Sequence, residues 1–220
     1  MLKQLYLSPL GYFASLMMNL AAVAHRPFMV YGYYNRVTGS FHRRTRISST
    51  AALIARRNLD IADNVWVWHH SILDASNGLT IGQGCQIGAW VGIFTHSSHV
   101  AIRLLGDRFL HIDRDQRAGY QRGPVAIGEF TFIGASSLVL PGVTIGRGCL
   151  IAAGSVVSRS VPDGSIAAGN PARVVGRTAA LDGRHLADPE VQRTYYDQSA
   201  AGRFRTAAGD TGRGGAGEGR

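Results

Sequence analysis

The sequence has few acidic residues and almost no lysine. Fourteen Asp and Glu stand against 23 Lys and Arg, which gives a formal net charge of +9, and Lys3 is the only lysine. Such a surplus suits nucleic acid, a membrane surface or an anionic ligand as a partner. No nucleic-acid-binding motif accompanies the charge, and a coding bias toward arginine would give the same composition. The charge alone therefore assigns no partner.

Long apolar runs are also missing, with one exception at residues 5–24. Ser8, Pro9 and Asn19 interrupt this run, which weakens it as a membrane-spanning segment. We expect a helix that packs on the protein or lies on a membrane surface. A spanning segment, and a signal peptide ending near Ala24, are the alternatives. The length of 220 residues and the hydrophobic fraction of 45% suit one globular domain with an elaborated N-terminus.

A six-residue repeat organises residues 125–171. Aliphatic residues recur every sixth position, and small or branched residues lie two positions before each of them. This period fits neither a helix nor an alternating strand, but it fits short strands joined by tight corners. Three hexads would form one triangular coil, with coils stacked roughly 4.8 Å apart. The repeated aliphatic positions are Ile127, Ile133, Val139, Ile145, Ile151 and Val157.

The same register occurs upstream, in the triplets Ile61, Val67, Leu73 and Ile81, Ile87, Ile93. A two-residue insertion at 74–78 separates them. Between Ile93 and Ile127 the spacing breaks, so we expect residues from about 96 to 124 to leave the coil as a long excursion loop. Long loops on a rigid scaffold commonly carry function.

These residues resemble the hexapeptide-repeat acyltransferases. The similarity covers about residues 45–176, and its end, at 169–173, resembles the closing Gly-Asn-Pro-Ala-Arg turn of that family. The resemblance implies a mainly β fold, a left-handed parallel β-helix. Residues 1–44 are expected to form a separate N-terminal helical or apolar segment, because they contain the apolar run at 5–24. The resemblance also implies acetyl-CoA as the donor and a homotrimer with sites between subunits. Residues 177–220 are predicted to form a short helix opening at Asp188 and a disordered tail from about Gly202.

Cys85 and Cys149 both occupy the inward position two residues before a middle-hexad aliphatic residue. A further coil lies between their coils, so they would be about 10 Å apart, which is too far for a disulfide. We therefore predict two buried thiols and a reducing compartment, with neither acting as a nucleophile.

Acyl transfer to a hydroxyl needs a base with a pKa near neutrality. His96 and His99 lie where the coil gives way to the loop, and this matches the place where similar acyltransferases carry their catalytic histidine. The family's usual His-Pro pair is absent, so both remain candidates. We favour His96 because it is nearer the rigid coil. The alternative is that one histidine only holds the loop in place.

Asp74 is the candidate partner of that base. Since Leu73 should stack below Ile93, Asp74 would lie one coil below Phe94, at the same corner as His96. Its carboxylate could orient the imidazole and stabilise imidazolium. The alternative is an Asx turn that closes the 74–78 insertion.

His69 and His70 lie one corner away among Trp66, Trp68 and Trp90. We expect a packed corner or subunit contact there. Some β-helix proteins of this kind hold zinc between subunits through histidines, as γ-class carbonic anhydrases do, but we find no counterpart of their ligand pattern. No metal is expected.

The donor would approach the backbone at corners of small residues. The resemblance places it in the groove between neighbouring subunits, with its nucleotide end near the closing turn, where Arg173 could meet a phosphate. The candidate donor-binding residues are Gly134, Ala135, Ala152, Ala153, Gly169, Asn170, Pro171 and Arg173.

The sequence therefore favours a cytoplasmic, acetyl-CoA-dependent O-acetyltransferase that modifies a hydroxyl of a saccharide or glycoconjugate precursor, as in polysaccharide biosynthesis. A peripheral position at the inner face of the membrane would follow from residues 5–24. N-acylation of an amino sugar is a close variant. A metal-dependent or non-catalytic β-helix protein is the alternative from another class.

Overall fold

The computed structural model describes residues 8–199. It begins with helix α1, Pro9–Ala24, which Ser8 caps by accepting a hydrogen bond from the Gly11 N–H at 3.2 Å. Pro9 occupies the first turn, where its missing N–H costs nothing. Within residues 8–199 no helix is both long and apolar enough to cross a membrane.

An antiparallel hairpin of strands β1, Met29–Asn35, and β2, Ser40–Ser48, follows α1. The end of β2 then pairs in parallel with the first coil, since Ile47 lies opposite Val67. Strand β2 thus crosses residue 45, the predicted start of the repeat domain. Sequence reasoning did not identify this hairpin, because its side chains do not follow the six-residue period.

Short strands then build the coils. They are β3 Ala52–Ile54, β4 Leu59–Ile61, β5 Trp66–Val67, β6 Ile72–Asp74, β7 Leu79–Ile81, β8 Gln86–Ile87, β9 Gly92–Ile93, β12 Val125–Ile127, β13 Phe132–Ile133, β14 Leu138–Val139, β15 Thr144–Ile145, β16 Leu150–Ile151 and β17 Val156–Val157.

Three parallel sheets result, one on each face of the coil. The first runs β2-β5-β8-β13-β16, the second β3-β6-β9-β14-β17 and the third β4-β7-β12-β15. Ile127 pairs with Ile145, Ile133 with Ile151 and Leu73 with Ile93. The predicted stacking of hexads is confirmed in all three sheets.

The core lies inside the coil. The repeated aliphatic residues are almost fully buried. The small residues two positions before them are also buried, and in addition their hydroxyl groups donate hydrogen bonds to carbonyl oxygens at the corner of an adjacent coil. Ser71 donates to Gly88 O at 2.8 Å, Thr131 to Gly146 O at 2.8 Å and Ser137 to Ala152 O at 3.0 Å. The repeat thus satisfies carbonyls that the strands cannot pair.

The excursion leaves the coil after β9 and returns at β12. Its base is a two-stranded antiparallel pair, β10 His96–Ser97 with β11 Gln121–Arg122. Between these strands lie helix α2, Ala101–Leu105, and 3₁₀ turns at Gly106–His111 and Arg114–Gln116. The pairing fixes where His96 stands at the rim of the coil.

The chain closes with an antiparallel hairpin of β18, Ser165–Gly169, and β19, Ala172–Arg177. Helices α3, Thr178–Asp182, and α4, Pro189–Thr194, follow. The predicted start of the short C-terminal helix is confirmed, because Asp188 accepts a hydrogen bond from the Glu190 N–H at 2.8 Å. The tail from Gly202 lies outside the described residues.

Candidate active site

His96 stands where the second sheet ends and the excursion begins. Strand β9 ends at Ile93, and the backbone of Phe94 still bonds to Val139 O of the next coil at 3.0 Å. His96 then pairs with Arg122 across the base of the loop. The imidazole is therefore held between the rigid coil and the returning loop strand.

The buried carboxylate of Asp74 lies directly beneath this imidazole. His96 Nδ1 is 2.7 Å from Asp74 Oδ2, and the Asp74 side chain is only 1% exposed against 33% for His96. Nδ1 is buried and makes no hydrogen bond of acceptable angle. Its contact with Asp74 is therefore identified by the short distance between Nδ1 and Oδ2. The other ring nitrogen, Nε2, is the one left for a ligand.

Asp74 is held in its charged form. Burial acts to raise its pKa, but hydrogen bonds from Ser76 and Thr95 outweigh it and lower the pKa to about 2. Oδ2 accepts from the Thr95 N–H at 3.1 Å and from the Thr95 hydroxyl at 3.0 Å. An ionised carboxylate in a buried site attracts a positive charge strongly, because little water screens it.

The Asx turn and the contact with His96 are both present, and they use different oxygens of the Asp74 carboxylate. Oδ1 accepts from the Ser76 N–H at 3.0 Å, which is the Asx turn that closes the insertion. Oδ2 faces His96 and Thr95. Asn77 ties the turn to the next coil by donating to Thr95 O at 2.9 Å. The turn thus fixes the carboxylate that contacts the imidazole.

Tyr120 covers a face of the His96 imidazole. Its ring stacks on that of His96, with centroids 5.9 Å apart and planes inclined by 17°. Sequence reasoning missed Tyr120, because the loop has no repeat register that could place it near the coil. Together, Asp74 and Tyr120 restrict His96 to one orientation.

His99 has a different environment. It is exposed, and its Nδ1 lies 2.8 Å from Ser97 Oγ, within the loop itself. No described carboxylate is within ion-pair distance of His99. Of the two candidate bases, only His96 is in contact with Asp74.

The corner residues proposed for the donor lie elsewhere on the same chain. Gly134, Ala135, Ala152 and Ala153 follow strands of the first sheet, whereas His96 follows the second. A Cβ at Gly134 would meet Ala153 N at 2.4 Å, so close coil stacking by itself requires glycine there. Within one chain, the structure does not bring these corners to His96.

An apolar cavity of about 280 Å³ opens beside the first of these corners. It is lined by Trp66, Trp68, Phe132 and Ala135, together with Gln86 and the 87–89 backbone. It is wide enough for a narrow chain and offers few polar groups, which suits an aliphatic arm.

The closing turn forms the tip of the β18–β19 hairpin. Gly169 has a φ of +103°, which favours glycine, and Asn170 and Pro171 make the connection. Arg173 is exposed and donates to the neighbouring Ala172 O at 3.0 Å. No described carboxylate pairs with it.

His69 and His70 form the corner next to the cavity. His69 Nδ1 lies 2.7 Å from Ser48 Oγ, and His70 stacks on Trp90 with ring centroids 5.9 Å apart. Across residues 8–199, no three His, Cys, Asp or Glu side chains form a group that could hold a metal ion.

Cys85 and Cys149 are free and buried, as the register predicted. Burial raises the pKa of Cys85 to about 12, and its Sγ donates to Gly128 O at 3.0 Å. Burial also raises the pKa of Cys149, whose Sγ lies 3.1 Å from Pro162 O. Thiols held in this protonated form are poor nucleophiles.

Residues 124–159 match the family of bacterial transferase hexapeptide repeats, described as six repeats. This stretch of the chain therefore carries the hexapeptide repeat. The resemblance that the sequence predicted is confirmed.

The chain is 35% identical over 127 residues to Putative acetyltransferase YJL218W of Saccharomyces cerevisiae, and the match covers 57% of this chain and 59% of the yeast protein. It is 53% identical over 58 residues to Putative acetyltransferase SAV2555 of Staphylococcus aureus, covering 26% of this chain and 29% of that protein. The chain thus spans at most 59% of the length of these two curated relatives.

Solved structures include a galactoside acetyltransferase in complex with coenzyme A. It has a TM-score of 0.50 and 27% identity, and the match covers 60% of this chain and 61% of that one. An N-acyltransferase from Bacillus cereus matches with a TM-score of 0.50 at 21% identity, covering 66% of this chain and 89% of that one, and so shows the shared fold.

Proposed function

We propose that this protein is an O-acetyltransferase that uses acetyl-CoA to modify a hydroxyl of a saccharide or glycoconjugate precursor, with His96 as the general base. The contact between His96 and Asp74 carries the proposal. An imidazole whose Nδ1 lies 2.7 Å from a buried carboxylate has its other nitrogen free to accept a proton. Curated relatives named as acetyltransferases support the same chemistry.

In this reaction the acceptor hydroxyl gives its proton to His96 Nε2 while its oxygen attacks the thioester carbonyl carbon. The C–S bond then breaks, and the departing sulfur takes the proton back from the imidazolium. The products are the acetyl ester and free CoA thiol. Asp74 stabilises the imidazolium formed between these steps, because it is ionised and poorly screened.

The choice of His96 over His99 follows from their surroundings. The charge that appears on the base during the reaction is balanced only beside His96, where Asp74 is buried. His99 is exposed and contacts a serine hydroxyl. Stacking on Tyr120 further holds the His96 ring, which reduces the entropy lost when the acceptor binds.

We place the donor between subunits of a homotrimer of left-handed coils, as the resemblance implies. The corners with small residues and the apolar cavity lie on a different edge of the coil from His96, so a neighbouring copy must supply them. The pantetheine arm would lie against the cavity at Trp68 and Ala135. Arg173, which has no carboxylate partner among the described residues, would meet a donor phosphate.

We assign α1 to a membrane surface. Its large apolar side chains are exposed, including Tyr12 at 79% and Leu10 at 71%. The β1–β2 hairpin also exposes aromatic side chains, and Arg43 and Arg44 of β2 are exposed as well. Apolar area beside arginine suits the boundary of a bilayer with anionic lipids at the cytoplasmic face.

A flotation assay tests this placement. The full chain should float with vesicles that contain anionic phosphatidylglycerol, and a Leu16→Asp/Leu20→Asp variant should not. Equal flotation of both proteins would contradict the role of α1.

The activity is tested by release of free thiol from acetyl-CoA with a panel of sugars, read out together with product mass. We expect thiol release that depends on both protein and acceptor, with a mass gain of one acetyl group on the sugar. The same assay after treatment with a chelator should give the same rate. Loss of the rate on chelation would favour a metal-dependent reaction instead.

A further inference from the structure

Three arginines of the excursion loop surround the ring that stacks on His96. The guanidinium carbons of Arg114, Arg117 and Arg122 lie 5.5, 5.9 and 5.4 Å from the centroid of Tyr120. A positive group over an aromatic face is attracted by the ring's electrons. Three of them around one ring also repel each other.

The loop balances only one of these three charges. Arg122 pairs with Asp115 and also donates to the Arg114 carbonyl oxygen, so it is tied into the loop. Arg114 uses its Nε to donate to the Tyr120 hydroxyl at 3.2 Å, and Arg117 uses its Nε to donate to Ile112 O at 3.0 Å. Among residues 8–199, neither Arg114 nor Arg117 has a carboxylate partner.

The terminal nitrogens of Arg114 and Arg117 are therefore free to bind. Neither side chain has a hydrogen-bond partner for these nitrogens among the described residues. Both side chains are held by stacking, since Arg117 also lies 4.0 Å above the Phe109 ring. Two guanidinium groups that are held close to the same ring suit a phosphate, which accepts several charge-assisted hydrogen bonds.

The position of this pair decides which phosphate it can meet. The ring centroids of Tyr120 and His96 are 5.9 Å apart, so the arginines around Tyr120 lie one ring away from the proposed base, near where the acceptor hydroxyl and the thioester would meet. The full length of the pantetheine arm separates the thioester of acetyl-CoA from its own phosphates. A donor that places its thioester at His96 cannot also place its phosphates at Tyr120, whereas an acceptor can.

We propose that the acceptor carries a phosphate group near the hydroxyl to be acetylated, as in a sugar phosphate or nucleotide-linked sugar, and that Arg114 and Arg117 bind it. This inference rests on the proposed function, because it takes His96 as the place of reaction. Tyr120 links the two, since it stacks on the base and receives a hydrogen bond from Arg114.

The test is calorimetric titration of inorganic pyrophosphate into protein already saturated with CoA, at constant ionic strength. CoA fills the donor's phosphate positions, so the probe reports only an additional anion site. We expect Arg114→Gln/Arg117→Gln to weaken pyrophosphate binding at least tenfold. Arg108→Gln is the matched control, because it removes the same charge from an exposed position in the same loop, and it should stay within twofold of the wild type.

A second variant separates charge from loop structure. Arg114→Lys/Arg117→Lys keeps both charges and should retain most of the affinity, whereas a loss equal to that of the Gln variant would overturn the proposal. Absence of pyrophosphate binding to the wild-type protein would overturn it too. A tenfold rise in the Kd of acetyl-CoA in the Gln variant would show that the arginines bind the donor. That result would also overturn the proposal.

The kinetic counterpart uses an acceptor found in the sugar panel. Pyrophosphate should inhibit thiol release competitively with that acceptor and not with acetyl-CoA. Inhibition competitive only with acetyl-CoA would contradict an acceptor site. Since the calorimetric result needs no turnover, retained anion binding in a protein that transfers no acetyl group would overturn the proposed function and leave the anion site standing.

Discussion

Asp74 and His96 come from adjacent coils and meet at one corner, with Oδ2 2.7 Å from Nδ1. The contact exists because Leu73 pairs with Ile93, which brings the end of one strand above the end of the other. Thr95 then fixes the register of the pair, since both its N–H and its hydroxyl donate to Asp74. The coil, rather than the loop, therefore sets the geometry of the proposed base.

Replacing the proposed base should remove turnover while leaving the donor bound. We expect His96→Ala to lower kcat by about 10²- to 10⁴-fold, which is the usual contribution of a positioned general base. The Kd of acetyl-CoA should hardly change, since the imidazole acts on the acceptor. Steady-state thiol release and calorimetry measure the two quantities.

His99→Ala is the matched control and should keep most of the activity. If His99→Ala abolished turnover while His96→Ala retained it, the base would lie three residues further into the loop. If both variants stayed active, a histidine base would be wrong for this protein.

Asp74→Asn should reduce kcat by less than His96→Ala does. The substitution keeps the shape of the side chain but removes the charge that stabilises imidazolium. Steady-state thiol release measures kcat. A wild-type kcat in Asp74→Asn would show that Asp74 acts only through the Asx turn it forms with Ser76, because an Asn side-chain oxygen can still accept that hydrogen bond.

Acid should destabilise the protein partly through Asp74. Its pKa in the folded state, about 2, lies below the ordinary value of 3.8. The stabilisation is therefore complete above about pH 4 and is lost as the pH falls through about 2. The stability difference between wild type and Asp74→Asn should shrink by about 2 kcal/mol over this range.

Thermal unfolding followed by circular dichroism at pH 6 and pH 2 measures that difference. Asp113→Asn serves as the control, because its side chain is exposed on the same excursion loop. A difference between wild type and Asp74→Asn that did not change with pH would contradict the charged, hydrogen-bonded state of Asp74.

A methyl group at Gly134 should be costly. The new Cβ would lie 2.4 Å from Ala153 N, and the backbone of the stacked coil cannot yield as a side chain would. We expect Gly134→Ala to cost about 1–3 kcal/mol, which lowers the melting temperature by roughly 2–12 °C in a chain of this size.

Gly176→Ala is the comparison, because its Cβ would meet only the Ile166 side chain, at ordinary distances of 3.5 and 3.9 Å. The two variants make the same chemical change in strands or corners of the same β structure. Equal melting temperatures for both would mean that the coils are not stacked closely enough for this clash.

The sequence by itself determined the repeat. Six-residue spacing places one aliphatic and one small side chain inward on every face, and this pattern is local enough to be read without coordinates. The stacking of Leu73 on Ile93 followed from counting residues, and so did the approach of Asp74 to the corner of His96. The free, inward position of Cys85 followed in the same way.

The tertiary structure alone decided what lies outside that period. The hairpin β1–β2 and the excursion loop have no repeat, so no residue count relates them to the coil. Only the folded loop places Tyr120 on His96 and Arg114 beside Tyr120. Periodic contacts are determined by spacing along the chain, whereas contacts made by a returning loop depend on how its side chains pack.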